Sequence, residues 1–501
     1  MANLRVVTAT SPDPRLAELL RRRLAGRARP VDAGLGSVRR AARPVLSYAQ
    51  HRLWFLTRLL PDSPGYHVPV AYRLRGPLDV PALRAALRHL AVGHETLRTR
   101  FGEDEQGEPY QIIDPAPGVR LTTVDVSADP APMARAVEVA RATENAPFDL
   151  GRGPLLRCRL VRLAGDDHVL TMAVHHIVFD RASLAVLGTD LSRAYAAELA
   201  GTAPPSFGPA VPYAEYAQWQ RQIIAGRRRT ELVEHWVSRL AGAPPLLDLP
   251  TDRPRPAVPS HRAGTAEFTV PPEVVTGLRE LAAAHRMTPF MVVLAAYQAV
   301  LGRHSGRSDI VVGVPMDLRP QPELAGAIGF FVNSLPIRLD LSGDPSFTEL
   351  LARGRQGVLA AYDHREAPFE LVVERLAPQR DLSHNPVMQV WFELADLAAT
   401  GPDLPRLPEV TVTHFESGTA RTRFDLEAHL IAQPSGELSG RLLYAVDLFE
   451  PDTVEGIARH LANFLRSAVL APHLPLSEIQ IFDDAELRRL FGEWAVAPRL
   501  R

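Results

Sequence analysis

Two adjacent histidines followed by an aspartate, His175, His176 and Asp180, stand at the end of an apolar run in the segment VLTMAVHHIVFDRASL. The run Val169–Val174 predicts a buried strand, and leucines recurring on one face after Asp180 predict a helix with Asp180 as its N-cap. Both histidines are therefore expected at a strand-to-turn junction. A side chain there can face a cavity while a rigid sheet holds its backbone.

Three interpretations of the histidine pair compete. A metal site is disfavoured, because adjacent strand residues point to opposite faces and the sequence has no HExxH or CxxC motif. Two half-buried structural histidines form the second interpretation. In the third, one neutral imidazole faces a cavity and accepts a proton from an attacking amine or alcohol, or orients it. The other ring would then pack behind it, and Asp180 would brace the turn through an arginine.

The sequence gives little support for a mechanism with a covalent enzyme intermediate or for a nucleotide-binding site. Cys158 lies in the strand-like segment LLRCRL without an adjacent base, and there is no GxSxG elbow, Walker loop or GxGxxG fingerprint. All 56 basic residues are arginine, which excludes Schiff-base and lysine-nucleophile mechanisms. Direct transfer between two bound substrates, without a covalent enzyme intermediate, is the remaining expectation.

Composition limits the class of protein. A chain of 501 residues is too long to form a single hydrophobic core of ordinary size. Its net charge of −1 provides no overall excess of positive charge for binding nucleic acid. One cysteine excludes an internal disulfide and is typical of a reducing compartment. The sequence starts without a signal peptide pattern and has no run of about 18 apolar residues. We therefore expect a soluble cytoplasmic protein that binds neither nucleic acid nor membrane.

Helix-like and strand-like segments mix in both halves of the chain, which predicts an α/β (α+β) fold with two lobes. The crossing between them is expected where six prolines exclude continuous helix or central strand. The predicted divisions are an N-terminal helix and linker (1–43), a first lobe (44–241), the Pro-rich crossing (242–260), a second lobe (261–474) and a linker (475–501).

Seven segments resemble, in the same order, the motifs of condensation domains from nonribosomal peptide synthetases. These domains are related to the chloramphenicol acetyltransferase superfamily. The segments are LSYAQHRLWFL (46–56), GHETLRTRF (93–101), HHIVFDR (175–181), YAEYAQWQ (213–220), IGFFVNSLPIR (328–338), HREAPFE (364–370) and RDLSHNP (380–386). One such motif is only moderately specific, but seven in order make a chance match very unlikely.

The resemblance implies two chloramphenicol-acetyltransferase-like lobes in a V-shaped pseudodimer, with a tunnel at their junction. Upstream and downstream peptidyl carrier protein domains would present a donor acyl or peptidyl thioester and an acceptor aminoacyl thioester on phosphopantetheine arms. The domain would join them by an amide bond without an intrinsic cofactor. The resemblance also implies that residues 475–501 lead to an adenylation domain, and that the excised domain is a monomer. Alternatives are a non-catalytic module that docks carriers or recruits other enzymes, and ester formation with an alcohol acceptor.

The same resemblance assigns roles to particular residues. His176 would lie near the attacking amine, either as a base or as a group that positions the amine. His175 would be structural, and Asp180 would be a brace that forms an ion pair with Arg338. Asn333 would hold the side of the tunnel that faces the second lobe.

One position departs from the family pattern, because Arg181 stands where the motif has glycine. Glycine there lets backbone and substrate approach closely. Three outcomes stay open for the arginine: a side chain that points to solvent, one in the tunnel that selects or blocks substrates, or a loss of activity. The intact histidine pair argues against the third.

Overall fold

The computed structural model describes residues 34–116, 118–319, 321–376, 381–396, 404–418 and 420–489. The expected α/β architecture is confirmed, with helices packed on a five-stranded and a six-stranded sheet. The short helix predicted inside residues 1–43 and the last part of the predicted linker, residues 490–501, lie outside the described residues, as does Arg380 of the RDLSHNP segment. The V-shaped arrangement of the lobes stays a prediction.

The five-stranded sheet has the strand order β11-β1-β6-β5-β4. Its strands are β1 (His67–Arg75), β4 (Leu121–Asp125), β5 (Leu156–Ala164), β6 (Asp167–His175) and β11 (Thr411–His414), and a hairpin of β2 (Thr99–Glu103) and β3 (Pro109–Ile113) accompanies them. The helices of this half are α1 (Tyr48–Leu59), α2 (Val80–Gly93), α3 (Pro132–Asn145), α4 (Arg181–Leu199), α5 (Tyr213–Ile223) and α6 (Gly226–Leu240).

β6 is the central strand of this sheet and ends at His175, and His176 begins the short 3-10 turn that follows. It pairs antiparallel with β1 on one side and β5 on the other, and from His168 to His175 every residue is buried. A strand covered on both faces needs apolar side chains at successive positions, which explains the continuous run in the sequence. The site is therefore fixed by the most constrained strand of the sheet.

The six-stranded sheet has the order β7-β13-β12-β10-β8-β9. Its strands are β7 (Ala263–Val270), β8 (Asp309–Asp317), β9 (Val332–Asp340), β10 (Val390–Asp396), β12 (Leu426–Ala432) and β13 (Leu438–Ala445). Its helices are α7 (Pro272–Ala284), α8 (Pro289–Ser305), α9 (Phe347–Asp363), α10 (Phe369–Leu376) and α11 (Pro451–Leu470). α8 is buried along most of its length, which accounts for its apolar residues on all faces.

Three segments cross the predicted lobe boundaries. α6 buries Leu232 and Trp236 in the core of the six-stranded sheet, although it precedes the Pro-rich crossing. β11, from the second half, pairs with β1 and so completes the first sheet. The predicted linker begins with packed residues, since Leu476 and Ile479 are buried in the same core as α6. Residues 241–260 form neither helix nor strand, as the prolines predict.

Among the residues that the structure describes, we find no helix that combines the length and the apolar composition needed to span a bilayer.

Candidate active site

A cavity of about 2330 Å³ lies between the two halves and receives side chains from both. Its lining includes His67, His176 and Arg181 from the first half and Trp391, Glu393 and Arg423 from the second. Of the predicted site residues, the structure brings His176, Asp180 and Arg181 together at this cavity. His176 begins the short 3-10 turn after β6, Asp180 is the N-cap of α4, and Arg181 is the first residue of α4.

His176 is partly exposed to the cavity and held at one ring nitrogen. Its Nδ1 lies 2.5 Å from the Phe179 carbonyl oxygen, which can only accept, so Nδ1 carries the proton. Nε2 therefore keeps its lone pair, and it has no partner among the described residues. The ring also packs edge-to-face on Phe330, with centroids 4.7 Å apart. Burial, helped by the charge of Arg423, lowers the pKa of His176 to about 4.

We expect His176 to stay neutral across the physiological range, because its lowered pKa lies well below the usual 6.5. In histidine-labelled protein, the His176 ring resonance, assigned from its loss in His176→Gln, should not shift between pH 8 and about pH 5.5. Free histidine in the same tube is the control, since it titrates across that range. A midpoint for His176 near 6.5 would show that the ring is solvated and that the pocket does not hold it neutral.

His175 points away from the cavity and is almost fully buried, with 2% of its surface exposed. Its Nδ1 accepts a hydrogen bond from the Ile177 backbone N–H at 3.1 Å, and its Nε2 lies 3.3 Å from Thr57 Oγ1. Burial and the neighbouring histidines keep the pKa of this ring well below its ordinary value. The two rings thus have separate environments, although His176 lies in the 3-10 turn after β6 and not on the strand, and the His175 ring hydrogen-bonds within this turn.

Asp180 is fully buried and caps α4, as its position before the helix predicts. Its Oδ1 accepts hydrogen bonds from the Ser183 N–H at 2.9 Å and from Arg319 Nη2 at 2.8 Å, and its Oδ2 accepts one from the Phe331 N–H at 3.0 Å. Burial alone would raise the pKa of this carboxyl, but the Arg319 charge and these donors hold it below its usual range. Asp180 is therefore an ionised brace with no free oxygen for proton transfer.

Arg319 was not identified from the sequence as the partner of Asp180. Its side chain is 6% exposed, its Nη1 also contacts Asp317 at 3.0 Å, and its guanidinium lies 4.1 Å from the centre of the Phe331 ring. The available signal was a charged pair, Asp317 and Arg319, at the carboxyl end of the apolar run DIVVGVPMD.

The predicted ion pair between Asp180 and Arg338 is wrong. Arg338 binds Asp309, with Nη2 and Oδ2 2.7 Å apart. The physical reason is strand register, because Asp317 pairs with Val332 at the site end of β9, six residues before Arg338. At about 3.3 Å per residue this places Arg338 roughly 20 Å further along the strand.

Asn333 fixes a loop and does not contribute to the cavity wall found among the described residues. Its Nδ2 donates to the carbonyl oxygens of Arg365 at 2.8 Å and Ala367 at 2.6 Å, and its Oδ1 accepts from the Phe369 N–H at 3.2 Å. Its neighbour Ser334 lines the cavity instead. The predicted tunnel residue thus holds the start of α10 in place.

Arg181 turns toward a carboxylate of the second half. Its Nε lies 3.3 Å from Oε1 of Glu393 on β10, and 52% of its side chain is exposed. It lines the cavity, and the outcomes expected for this position stay predictions.

Cys158 does not line the cavity and is buried in the hydrophobic core of the five-stranded sheet. Burial raises the pKa of its thiol to about 12, so it is not a thiolate nucleophile at neutral pH. Within the described residues, no group of three or more His, Cys, Asp or Glu side chains is arranged to hold a metal ion.

Comparison with known proteins gives consistent matches along most of the chain. It is 39% identical to a linear gramicidin synthase of Brevibacillus parabrevis over 97% of its own length and 6% of the relative's. It is 38% identical to phosphinothricin tripeptide synthetase PhsC of Streptomyces viridochromogenes, covering 98% of this chain and 43% of that one. The chain therefore spans less than half the length of these curated relatives.

Among solved structures, the X-domain from teicoplanin biosynthesis superposes with a TM-score of 0.82 at 35% sequence identity. The match covers 90% of this chain and 100% of the X-domain. The first condensation domain of the calcium-dependent antibiotic synthetase shares the fold, with a TM-score of 0.73 at 23% identity. The family model named condensation domain matches residues 42–491, and with the motifs and site geometry above it shows that the chain belongs to the condensation domain family.

Proposed function

We propose that the chain forms an amide bond between a donor acyl or peptidyl thioester and an acceptor aminoacyl thioester, each carried on the phosphopantetheine arm of a carrier domain. The observation that carries this proposal is His176, whose protonated Nδ1 is held by the Phe179 carbonyl while Nε2 is open to a cavity between the two halves. The family membership and the synthetase relatives support the same reaction class.

In this reaction the acceptor amine nitrogen attacks the thioester carbonyl carbon. A carbon–nitrogen bond forms, the carbon–sulfur bond breaks, and the proton lost by nitrogen ends on the departing sulfur. His176 Nε2 would accept a hydrogen bond from the amine and orient its lone pair toward the carbonyl. A ring whose pKa is lowered to about 4 is a weak proton acceptor, which favours positioning over full proton abstraction.

The other residues of the site would support that ring. Asp180 and Arg319 join the start of α4 to the end of β8, and thereby hold the two halves in register beside the cavity. His175 would keep the turn closed from behind. Positioning two tethered reactants supplies much of the rate in such a site, so the rigidity of this frame is itself part of the mechanism.

The partners implied are upstream and downstream carrier domains and an adenylation domain. The chain itself would need no bound cofactor, because phosphopantetheine arrives with the carriers. A through-tunnel reached from opposite mouths would allow both arms to enter together.

The direct test supplies the purified chain with a donor carrier and an acceptor carrier, each loaded with a panel of residues. We expect a peptidyl thioester on the acceptor carrier, detected by intact-protein mass spectrometry, and no product when either carrier is unloaded. Free amines and alcohols added as competitors separate amide formation from the ester alternative. If carriers bind but no loaded pair gives product, the docking alternative replaces this proposal.

Docking of a further protein has one specific observation in its favour. The X-domain that resembles this chain has been solved as a complex with OxyB from the same biosynthesis. The open Nε2 of His176 favours catalysis over docking alone, because a docking surface does not need an acceptor nitrogen inside a cavity.

A further inference from the structure

A row of four charged side chains crosses the cavity, starting at the last residue of the HHIVFDR segment, and we call it the Arg181 cluster: Arg181, Glu393, His429 and Glu427. Arg181 Nε lies 3.3 Å from Glu393 Oε1, and Glu393 Oε2 lies 3.3 Å from His429 Nδ1. His429 Nε2 is 2.9 Å from Glu427 Oε2. The cluster therefore connects the first turn of α4 with two parallel strands, β10 and β12, of the second half.

The cluster alternates in charge along its length. Burial would lower the pKa of His429, but its two carboxylate partners raise it to about 9, so the ring is a cation at neutral pH. Burial would raise the pKa of Glu427, but His429 and other donors lower it to about 2. Glu393 is likewise held ionised, with its pKa lowered. Two cations and two anions leave no net charge.

The members differ in how completely their polar atoms are used. Glu427 is 4% exposed and also accepts hydrogen bonds from the Thr422 hydroxyl and the Arg423 N–H. Both His429 nitrogens are occupied by carboxylates. Arg181 is the exception, since half of its side chain is exposed and its single ion pair, within the described residues, uses Nε alone. No hydrogen bond of its two terminal nitrogens is found among the described residues, so these nitrogens can bind a ligand.

A second arginine lines the same cavity without a carboxylate partner among the residues that the structure describes. Arg423 is half-buried, and its guanidinium lies 5.9 Å from the centre of the Tyr66 ring. Its charge reaches the reacting centre, because it is one of the causes that lower the pKa of His176. Arg181 and Arg423 thus bring two incompletely paired guanidinium groups to the cavity that contains His176.

We propose that Arg181, assisted by Arg423, binds an anionic group on the side chain of one of the two condensing residues, so that the chain selects a substrate with a carboxylate side chain. A guanidinium fork binds carboxylate bidentately, and this ligand can join Arg181 without displacing it from Glu393. A cationic side chain would instead have to displace Arg181 or compete with His429 for the same oxygens. The inference rests on the proposed function, because it assumes that a substrate residue reaches His176.

The phosphate of the pantetheine arm is a second source of anionic oxygen. The whole pantetheine chain separates this phosphate from the thioester, which reacts beside His176. Arg181 follows His176 by only five positions in the sequence and lines the same cavity. The side chain of the condensing residue is therefore the better match, and pantetheine with and without its phosphate separates the two sources.

The test measures binding of pantetheine amides of aspartate and asparagine by titration calorimetry, so that no transfer is required. Each compound is tested in two forms: one with a free amine, which mimics the acceptor, and one with an acetylated amine, which mimics the donor. In either the acceptor or the donor form we expect the aspartate compound to bind about tenfold more tightly than the asparagine compound, which corresponds to the free energy of about one charge-assisted hydrogen bond. Arg181→Gln should reduce that ratio toward one. Arg441→Gln is the matched control, because Arg441 is already paired with Glu267 at 3.0 Å, and it should keep the ratio.

Three results would overturn the inference. One is equal binding of the aspartate and asparagine forms, or a ratio that survives Arg181→Gln. Another is preferential binding of a lysine form that is lost in Glu393→Gln, which would assign the cluster to a cation. The third is an Arg181→Gln effect that appears only when the pantetheine carries its phosphate. The two assays fail separately. If the aspartate form binds more tightly but the carrier assay gives no peptide, the proposed function is rejected and this inference is not. If the carrier assay gives peptide but the aspartate form does not bind more tightly, this inference is rejected and the proposed function is not.

Discussion

Replacing His176 by alanine should lower the rate of peptide transfer by about 10²-fold, the lower end of the range for a positioned acid–base side chain, because the ring orients the amine and is a weak proton acceptor. The variant loses the only imidazole nitrogen that the histidine pair offers to the cavity, since both nitrogens of His175 are engaged elsewhere. Residual transfer should persist, because two tethered thioesters still meet in the cavity. Single-turnover transfer between preloaded carriers, followed by mass spectrometry, measures the effect.

The matched control is His89→Ala, which removes a half-buried histidine paired with Glu198 outside the cavity. It should transfer at the rate of the unmodified chain. Both variants should keep their unfolding midpoint, so that lost transfer cannot be attributed to lost fold. If His176→Ala transfers as fast as His89→Ala, positioning by the carriers alone accounts for the reaction and the role given to this ring is wrong.

The pattern of the sequence predicts the local frame of the site well. The apolar run before the pair, the separate environments of the two rings and the cap at Asp180 are all properties of adjacent residues, and each is found. Local patterns suffice there because a strand covered on both faces and a helix N-terminus have strict requirements.

The partner of Asp180 could not be predicted in the same way. Arg319 follows β8 and Arg338 lies within β9, and only the register of these two antiparallel strands decides which arginine reaches the site. Register is a property of the assembled sheet, and a motif that contains an arginine does not reveal it.

The Arg181 cluster and the lobe boundaries depend on contacts between distant segments. Glu393, His429 and Arg181 meet because β10 pairs parallel to β12 and the N-terminus of α4 lies across the cavity from them. β11 has only four residues, too few to stand out in the sequence, yet its pairing with β1 transfers part of the second half to the first sheet. Such contacts are set by topology, which no local pattern specifies.

Asp180→Ala should destabilise the fold by about 3–5 kcal/mol, because it leaves the buried Arg319 guanidinium with less compensating charge. It also removes the cap of α4, worth about 1 kcal/mol, and leaves the Phe331 N–H without its acceptor. Asp317 still faces Arg319 at 3.0 Å, so the loss should lie toward the lower end of the range. Urea unfolding should show a lower midpoint with an unchanged slope.

A double-mutant cycle separates this pair from the alternative that the sequence suggested. Asp180→Ala combined with Arg319→Met should be less destabilising than the sum of the single changes, with a coupling of about 0.5–3 kcal/mol, because the two charges contact each other directly.

Arg338→Met is the matched control. The ion pair of Arg338 with Asp309 is partly exposed, so losing this ion pair should cost about 1 kcal/mol or less. Its effect should add to that of Asp180→Ala, since sites this far apart behave independently. Coupling of Asp180 to Arg338 and additivity with Arg319 would mean that the strand register, and with it the frame that holds His176, is different from the one described.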